Sequence, residues 1–210
     1  TVLSILALNG IRNNDLIKLY LLNGANPSLE NIFGKSLIEI LIDIILYIEN
    51  KRTLEEKYIN LLNKNAEYPT VLENILKTTD ADMNKLNSKG RPLFFDSILN
   101  FNFKLFKLLR TKSININEKD QDGNNIIFRL MDYDNKDLIK DKKLYLNTIK
   151  SLINSGVDIN AKNNESLTAL HLAVGGKCEY TIRLLLEMRA DCTITDNKGR
   201  TIMHTCIWKN

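Results

Sequence analysis

The chain is poor in the residues from which reactive sites are built. In 210 residues it has two histidines, His171 and His204, three cysteines and one tryptophan. Cys178, Cys192 and Cys206 all fall in the last 33 residues. An odd number so placed makes no disulfide framework and points to a reducing compartment. Long apolar runs are missing too. The nearest approach, Ser36 to Ile48, is interrupted by Glu39 and Asp43 and is shorter than the roughly 18 to 20 residues that span a bilayer. No membrane partner is expected. Nor is there a long run of charge of one sign. A net charge of +4 with 26% charged residues is too mild a bias to support nucleic-acid binding without a clustered patch.

Motifs that would carry catalysis or cofactors are also lacking. No C-x-x-C or H-x-x-x-H spacing supports a zinc site. The "GGK" at 175–177 and "GKS" at 34–36 lack the frame of a phosphate-binding loop. Carboxylates are scattered, with no pair that stands out as acid and base. His204 and Cys206 look like a reactive pair. On a helix, however, residues two apart point about 200° away from each other and cannot pair. These readings predict no catalytic residue, no metal and no cofactor.

What the chain does have is self-similarity. Thr168 and His171 in "ESLTALHLAV" are spaced like Thr201 and His204 in "GRTIMHTC", 33 residues further on. Pro92 in "KGRPLFF" and Asn125 in "DGNNIIF" are again 33 apart. Asn125 to Thr168 is 43, and Ser36 in "GKSLIEI" to Pro92 is 56, the same period with insertions of 10 and 23. The units end alike, as in "SLINSGVDINAKNNES" and "LLLEMRADCTITDNKG".

This pattern resembles the ankyrin repeat, whose units open near D-x-x-G-x-T-P-L-H-x-A, continue into a helix with L-L and G-A-D, and recur about every 33 residues. The resemblance covers nearly the whole chain, strongest from Gly90 onward and weakest between Lys51 and Thr79. It implies an all-α solenoid of helix-turn-helix units with short finger hairpins, five repeats and a partial sixth. The expected boundaries are about 1–32, 33–88 with the 23-residue insertion, 89–121, 122–164 with the 10-residue insertion, 165–197, and 198–210. The long insertion reads as helices over "SLIEILIDIILYIENK", "LEEKYINLLNKN" and "PTVLENILKTT", or as a hidden degenerate repeat. The extra "DNKDLIKDKK" reads as a charged, exposed extension.

Each unit is expected to fold locally in the same way. Asn87 to Gly90, Asp120 to Gly123 and Asp196 to Gly199 are turn sequences. Thr168, Thr201, Asn125 and Ser36 stand where a helix N-cap belongs. Leu170, Ala173, Ile182, Leu185 and Leu186 should form apolar helix faces, with Cys178 and Cys192 as small fillers. After the second helix Gly24 and Gly156 supply the left-handed conformation the turn needs. Asp80, Ser113 and Arg189 stand at the equivalent positions and would be strained there. The resemblance gives the histidines a bracing role.

By the same resemblance, function lies on the concave surface of finger tips and first-helix faces. The family's contact positions carry over to Ile32, Phe33, Lys35 and Asp43; to Lys89, Arg91 and Asn100; to Gln121, Asp122, Asn124, Asp132 and Tyr133; to Asn164, Glu165 and Leu167; and to Asn197, Lys198, Arg200 and Trp208. The implied activity is non-enzymatic protein–protein interaction. The alternative is the targeting segment of a larger enzyme or secreted effector. Oligomeric state is open, with a monomer as the expectation. The chain starts at Thr1 with no methionine or signal pattern, and is read as a piece of a longer protein. Its bias towards Asn, Ile and Lys fits an AT-rich genome, and leaves the cytoplasm or delivery into a host cell as the expected locations.

Overall fold

A computed structural model describes residues 19, 21–31, 34–50, 68–132 and 141–204. The region 51–67, which includes the expected middle helix of the long insertion, lies outside the described residues, as does most of the shorter insertion.

The local unit of the fold is a turn closed by one amide or carboxylate side chain. The backbone N–H of Asn31, Asn87, Asp120, Asn163 and Asp196 each donates to the carbonyl four residues on, over 2.7 to 3.0 Å. The same side chains reach forward. Asn87 Oδ1 accepts from the N–H of Lys89 (2.9 Å) and Arg91 (3.1 Å). Asp120, Asn163 and Asp196 repeat that pair of bonds at 2.8 to 3.0 Å. A short acceptor two and four residues ahead of free N–H groups is what Asn and Asp provide in turns. The fourth residue of each turn has positive φ: Gly34 at 70°, Gly90 at 68°, Gly123 at 75°, Gly199 at 70°, and Ser166 at 60°. One isolated antiparallel bridge, Leu86 to Pro92, supports the finger at 87–90. No strand forms among the described residues.

Helices follow the fingers. They are α1 (Leu37–Asn50), α2 (Tyr68–Thr78), α3 (Phe95–Leu99), α4 (Phe103–Leu109), α5 (Ile126–Asp132), α6 (Lys142–Asn154), α7 (Ala169–Gly175) and α8 (Glu179–Glu187). Three of the four expected caps, Ser36, Asn125 and Thr168, are present. Ser36 Oγ accepts from Glu39 N–H (3.2 Å), and Asn125 Oδ1 from Ile127 (3.1 Å) and Phe128 (3.3 Å). Thr168 caps α7 in a reciprocal box with His171. Pro69 lies in the first turn of α2, where a missing N–H costs nothing.

The chain forms two compact units, residues 1–114 and 115–210. In the first, α1 packs on α2 and α3 on α4, and the two pairs meet through α1 with α3 and α2 with α4. The second repeats that plan: α5 on α6, α7 on α8, with α5 against α7 and α6 against α8. Among the described residues each unit thus holds two helix pairs side by side, since one pair alone cannot bury both apolar faces. The first core holds the Leu and Ile residues of α1 from Leu37 to Leu46, Leu72 and Ile75 of α2, and Phe94 and Phe95, which meet edge to face at 5.0 Å. In the second unit the buried set is Ile126, Ile127, Phe128, Tyr145, Ile149, Leu170, Ala173 and Leu185. No described helix is long and apolar enough to cross a membrane.

Several expectations are corrected. Leu186 is exposed, and Thr181 is buried beside Leu185 instead, so the phase of α8 is rotated by one residue from the sequence reading. Cys192 is exposed rather than filling a gap, and Cys178 is half-buried at the start of α8. Arg189 is left-handed, φ 64°, but Asp80 and Ser113 are not. Threonine hydroxyls stand near both: Thr79 Oγ1 donates to the Ile75 carbonyl (2.7 Å) and Thr111 Oγ1 to that of Leu108 (2.8 Å). These side chains satisfy carbonyls in the last turn of each helix.

Phe101 and Lys177, in the turns between paired helices, are also left-handed, at φ 54° and 56°. Ser166 and Arg189 give a direct test of backbone strain. A non-glycine residue at positive φ costs about 1–2 kcal/mol, and the entropy of a glycine offsets roughly 0.5–1 kcal/mol of the relief. Ser166→Gly and Arg189→Gly should therefore each stabilise by about 0.5–1 kcal/mol. Urea unfolding checks this; an unchanged or lower midpoint would show that the native side chain makes compensating contacts.

Candidate functional site

In the first unit the basic residues at the finger bases are mostly neutralised from within. Lys35 is buried, and its Nζ meets Asp43 Oδ2 at 2.8 Å. Arg91 Nη2 meets Asp96 Oδ1 at 2.6 Å, and Asn87 Nδ2 donates to Asp96 Oδ2 at 3.0 Å. Asp96 is only 2% exposed, so this carboxylate is a structural anchor. Lys89 is different. Its side chain is 40% exposed and stands 3.5 Å from Asp43 and 4.0 Å from Asp96, loosely held and open to solvent. Next to it, Ser88 donates from Oγ and N to the buried Glu39 carboxylate. Burial pushes the Glu39 carboxyl up from its ordinary pKa, opposed by the two Ser88 bonds. Asn100 is half-buried and donates back to the Asp96 carbonyl.

The second unit joins finger to finger. Asn164 N–H donates to the Asp122 carbonyl (3.1 Å) and its Nδ2 to that of Gln121 (3.1 Å). Asn163 Nδ2 donates to Asn124 Oδ1 (3.1 Å). One repeat later, Asn197 N–H reaches the Glu165 carbonyl (3.3 Å). Lysines do the same: Lys119 Nζ donates to the Lys162 carbonyl (2.9 Å) and Lys162 Nζ to that of Thr195 (2.8 Å). Asparagines below them continue the pattern, Asn117 binding Gly156 and Asp158, and Asn160 accepting from Asp191 N–H. Sequence reasoning missed this ladder. Its signal was the recurrence of Asn117 and Asn160 two residues after Asn115 and Asp158.

The histidines brace the fingers. His171 Nδ1 accepts from Thr168 N–H (3.2 Å) and faces Thr168 Oγ1 (2.8 Å); His204 repeats both contacts with Thr201 (3.2 and 2.9 Å). Burial holds the His171 imidazole below its ordinary pKa, opposed by the backbone of Arg200. The Nε2 of His171 makes no hydrogen bond of normal length, so that opposition is partial. An uncharged ring with Nδ1 as acceptor fits a brace, not a general base.

The positions expected to contact a partner divide into three groups. Asn124 is buried, Leu167 half-buried, and Asp122 and Arg200 are exposed but tied to Arg129 and Asp196. The Arg200 side chain, then its backbone, holds the Asp196 carboxyl at about 2. Gln121, Asn164, Glu165, Asn197 and Lys198 are exposed at the tips. Ile32, Phe33, Tyr133 and Trp208 lie outside the described residues, as does Cys206, and the side chain of Asp132 is not described.

Fold and fingers agree with comparisons to known proteins. Residues 140–210 match the family model for ankyrin repeats in three copies. An ankyrin repeat protein of Rickettsia bellii is 26% identical over 156 residues, 74% of this chain and 81% of that one. Shorter stretches match an ankyrin repeat protein of fowlpox virus, 40% identical over 55 residues, and human B-cell lymphoma 3 protein, 46% over 43. Those stretches are 26% and 20% of this chain, and span only 13% and 10% of the two relatives. Among solved structures, the ankyrin repeat protein EF0377 superposes with a TM-score of 0.64 at 19% identity, over 100% of this chain and 92% of that one. The ankyrin repeat domain of Bcl-3 gives 0.61 at 16%, over 98% and 93%. The chain has the fold of ankyrin-repeat proteins, and its residues 140–210 match ankyrin repeats. Ankyrin repeats are in general protein–protein interaction modules.

Proposed function

We propose that the chain binds a partner protein, without catalysis, through the tips of its fingers and the adjoining first-helix faces. One observation carries the reading. In the four fingers described in full the first side chain is spent on closing the turn, while the next two differ from finger to finger on that fixed frame: Ser88 and Lys89, Gln121 and Asp122, Asn164 and Glu165, Asn197 and Lys198. Diverse side chains presented by a rigid loop scaffold are how binding surfaces are built. Lys89 and Lys198 are the exposed cations of this set and the ones to test.

Arg91 is unsuited to such a test, because reversing it would strand Asp96. Lys89→Gln with Lys198→Gln should leave the melting temperature within about 3 °C of wild type, the loose Lys89 contacts being worth at most about 1 kcal/mol. The same variant should lose partners in affinity capture followed by mass spectrometry. A partner profile identical to wild type sinks the finger surface. A second reading, a targeting segment within a larger protein, is supported by the small share of the fowlpox and human relatives that the match occupies. The full-length reading frame decides it.

A further inference from the structure

A second surface lies apart from the fingers, on the second helix of a repeat. The stretch from Ser97 to Asn117 has no acidic residue but contains Lys104, Lys107, Arg110 and Lys112. Helix α4 and its C-cap display most of these on one side. Phe103, Lys107 and Arg110 are spaced i, i+4, i+7, with Lys104 three residues before Lys107, and all four side chains are exposed, Phe103 at 44%. Leu105 and Leu109 are buried on the opposite side. The described elements packed on α4 offer no spare carboxylate. Glu73 of α2 is bridged to Lys77 at 2.6 Å, and Asp96 of α3 to Arg91. Among the described residues no ion pair forms to Lys104, Lys107, Arg110 or Lys112. Arg110 instead lies over the Phe106 ring, 5.8 Å from its centroid.

Helix formation does not account for this face. Lys107 and Arg110 near the C-terminal end suit the helix dipole, but Lys104 in the first turn opposes it. Phe103 stands exposed among these cations, none of which is ion-paired among the described residues. We infer that the face of α4 formed by Phe103, Lys104, Lys107 and Arg110 is a docking surface for an acidic, leucine-bearing segment of a partner protein. Carboxylates on such a segment complement the cations, which steers association and fixes register. An apolar side chain covers Phe103. The surface goes beyond the finger reading and fails or stands separately from it.

The test uses the whole chain and a fluorescein-labelled octaglutamate peptide with one central leucine, read by fluorescence anisotropy. Wild type should bind saturably and more weakly as salt rises. Lys104→Gln/Lys107→Gln/Arg110→Gln should weaken binding about tenfold or more, at roughly threefold per exposed charge pair, with an unchanged thermal melt. Lys104→Arg/Lys107→Arg and the finger variant Lys89→Gln should both retain binding. No saturable binding by wild type, or equal binding by the triple glutamine variant, overturns the proposal. So does binding of phosphatidylglycerol vesicles or duplex DNA through these residues with the peptide ignored, since the face would then be a lipid or nucleic-acid surface.

Discussion

Asp96→Ala is expected to destabilise the protein by about 3 kcal/mol, because it leaves Arg91 as a charge without its partner in a largely buried place. Asp96 is 2% exposed, accepts from Arg91 at 2.6 Å and from Asn87 at 3.0 Å, and has Lys89 at 4.0 Å. Removing it also strands the Asn87 amide that closes the finger. The melting temperature should drop on the order of 10 °C for a chain of this size. Arg91→Ala alone should cost less, about 1–2 kcal/mol, since the carboxylate keeps its bond from Asn87. The double variant then separates two explanations. If most of the loss in Asp96→Ala is the abandoned guanidinium, Asp96→Ala/Arg91→Ala will be no less stable than Asp96→Ala within about 0.5 kcal/mol. Additive losses in urea unfolding would mean that the two side chains stabilise the fold through unrelated contacts.

That pair also shows what the sequence could and could not disclose. The finger turns were legible because their chemistry is local: an Asn or Asp acceptor, two N–H groups two and four residues on, and a residue at positive φ. The brace between Thr168 and His171 came from the family resemblance, and the contact is a local one, three residues long. The charges were not legible. Lys35, Arg91 and Arg200 were expected as partner-contact positions, yet each is tied to a carboxylate four to eight residues away, Asp43, Asp96 or Asp196. Whether such a pair forms depends on how the finger enters the helix, which residue types do not reveal. Asp80 and Ser113 show the same limit at the backbone. Their place in the repeat predicted a left-handed turn, and neither residue adopts one. The ladder of Asn117, Asn160, Lys119 and Lys162 escaped notice because its partners are backbone groups a whole repeat away.

That finger-to-finger ladder makes Gly123 the least replaceable of the finger glycines whose surroundings are known. Gly123→Ala is expected to cost about 3–4 kcal/mol, the sum of left-handed strain and two lost inter-finger hydrogen bonds. At φ 75° an alanine there is strained whatever its surroundings. Its methyl would also lie 2.8 Å from the backbone N of Asn164 and press on the amide of the same residue. Both groups are in use, donating to Asp122 and Gln121. Gly199 has nearly the same conformation, φ 70°, with nothing within 4 Å of where its Cβ would stand. Gly199→Ala should therefore cost only the strain, about 1–2 kcal/mol. The difference between the two variants in urea unfolding measures the ladder itself. Equal losses would show that stacked fingers give way freely and that the ladder adds nothing. Adding Asn164→Ala to Gly123→Ala should recover only part of the loss, because the side-chain clash is relieved while the one with the backbone N remains.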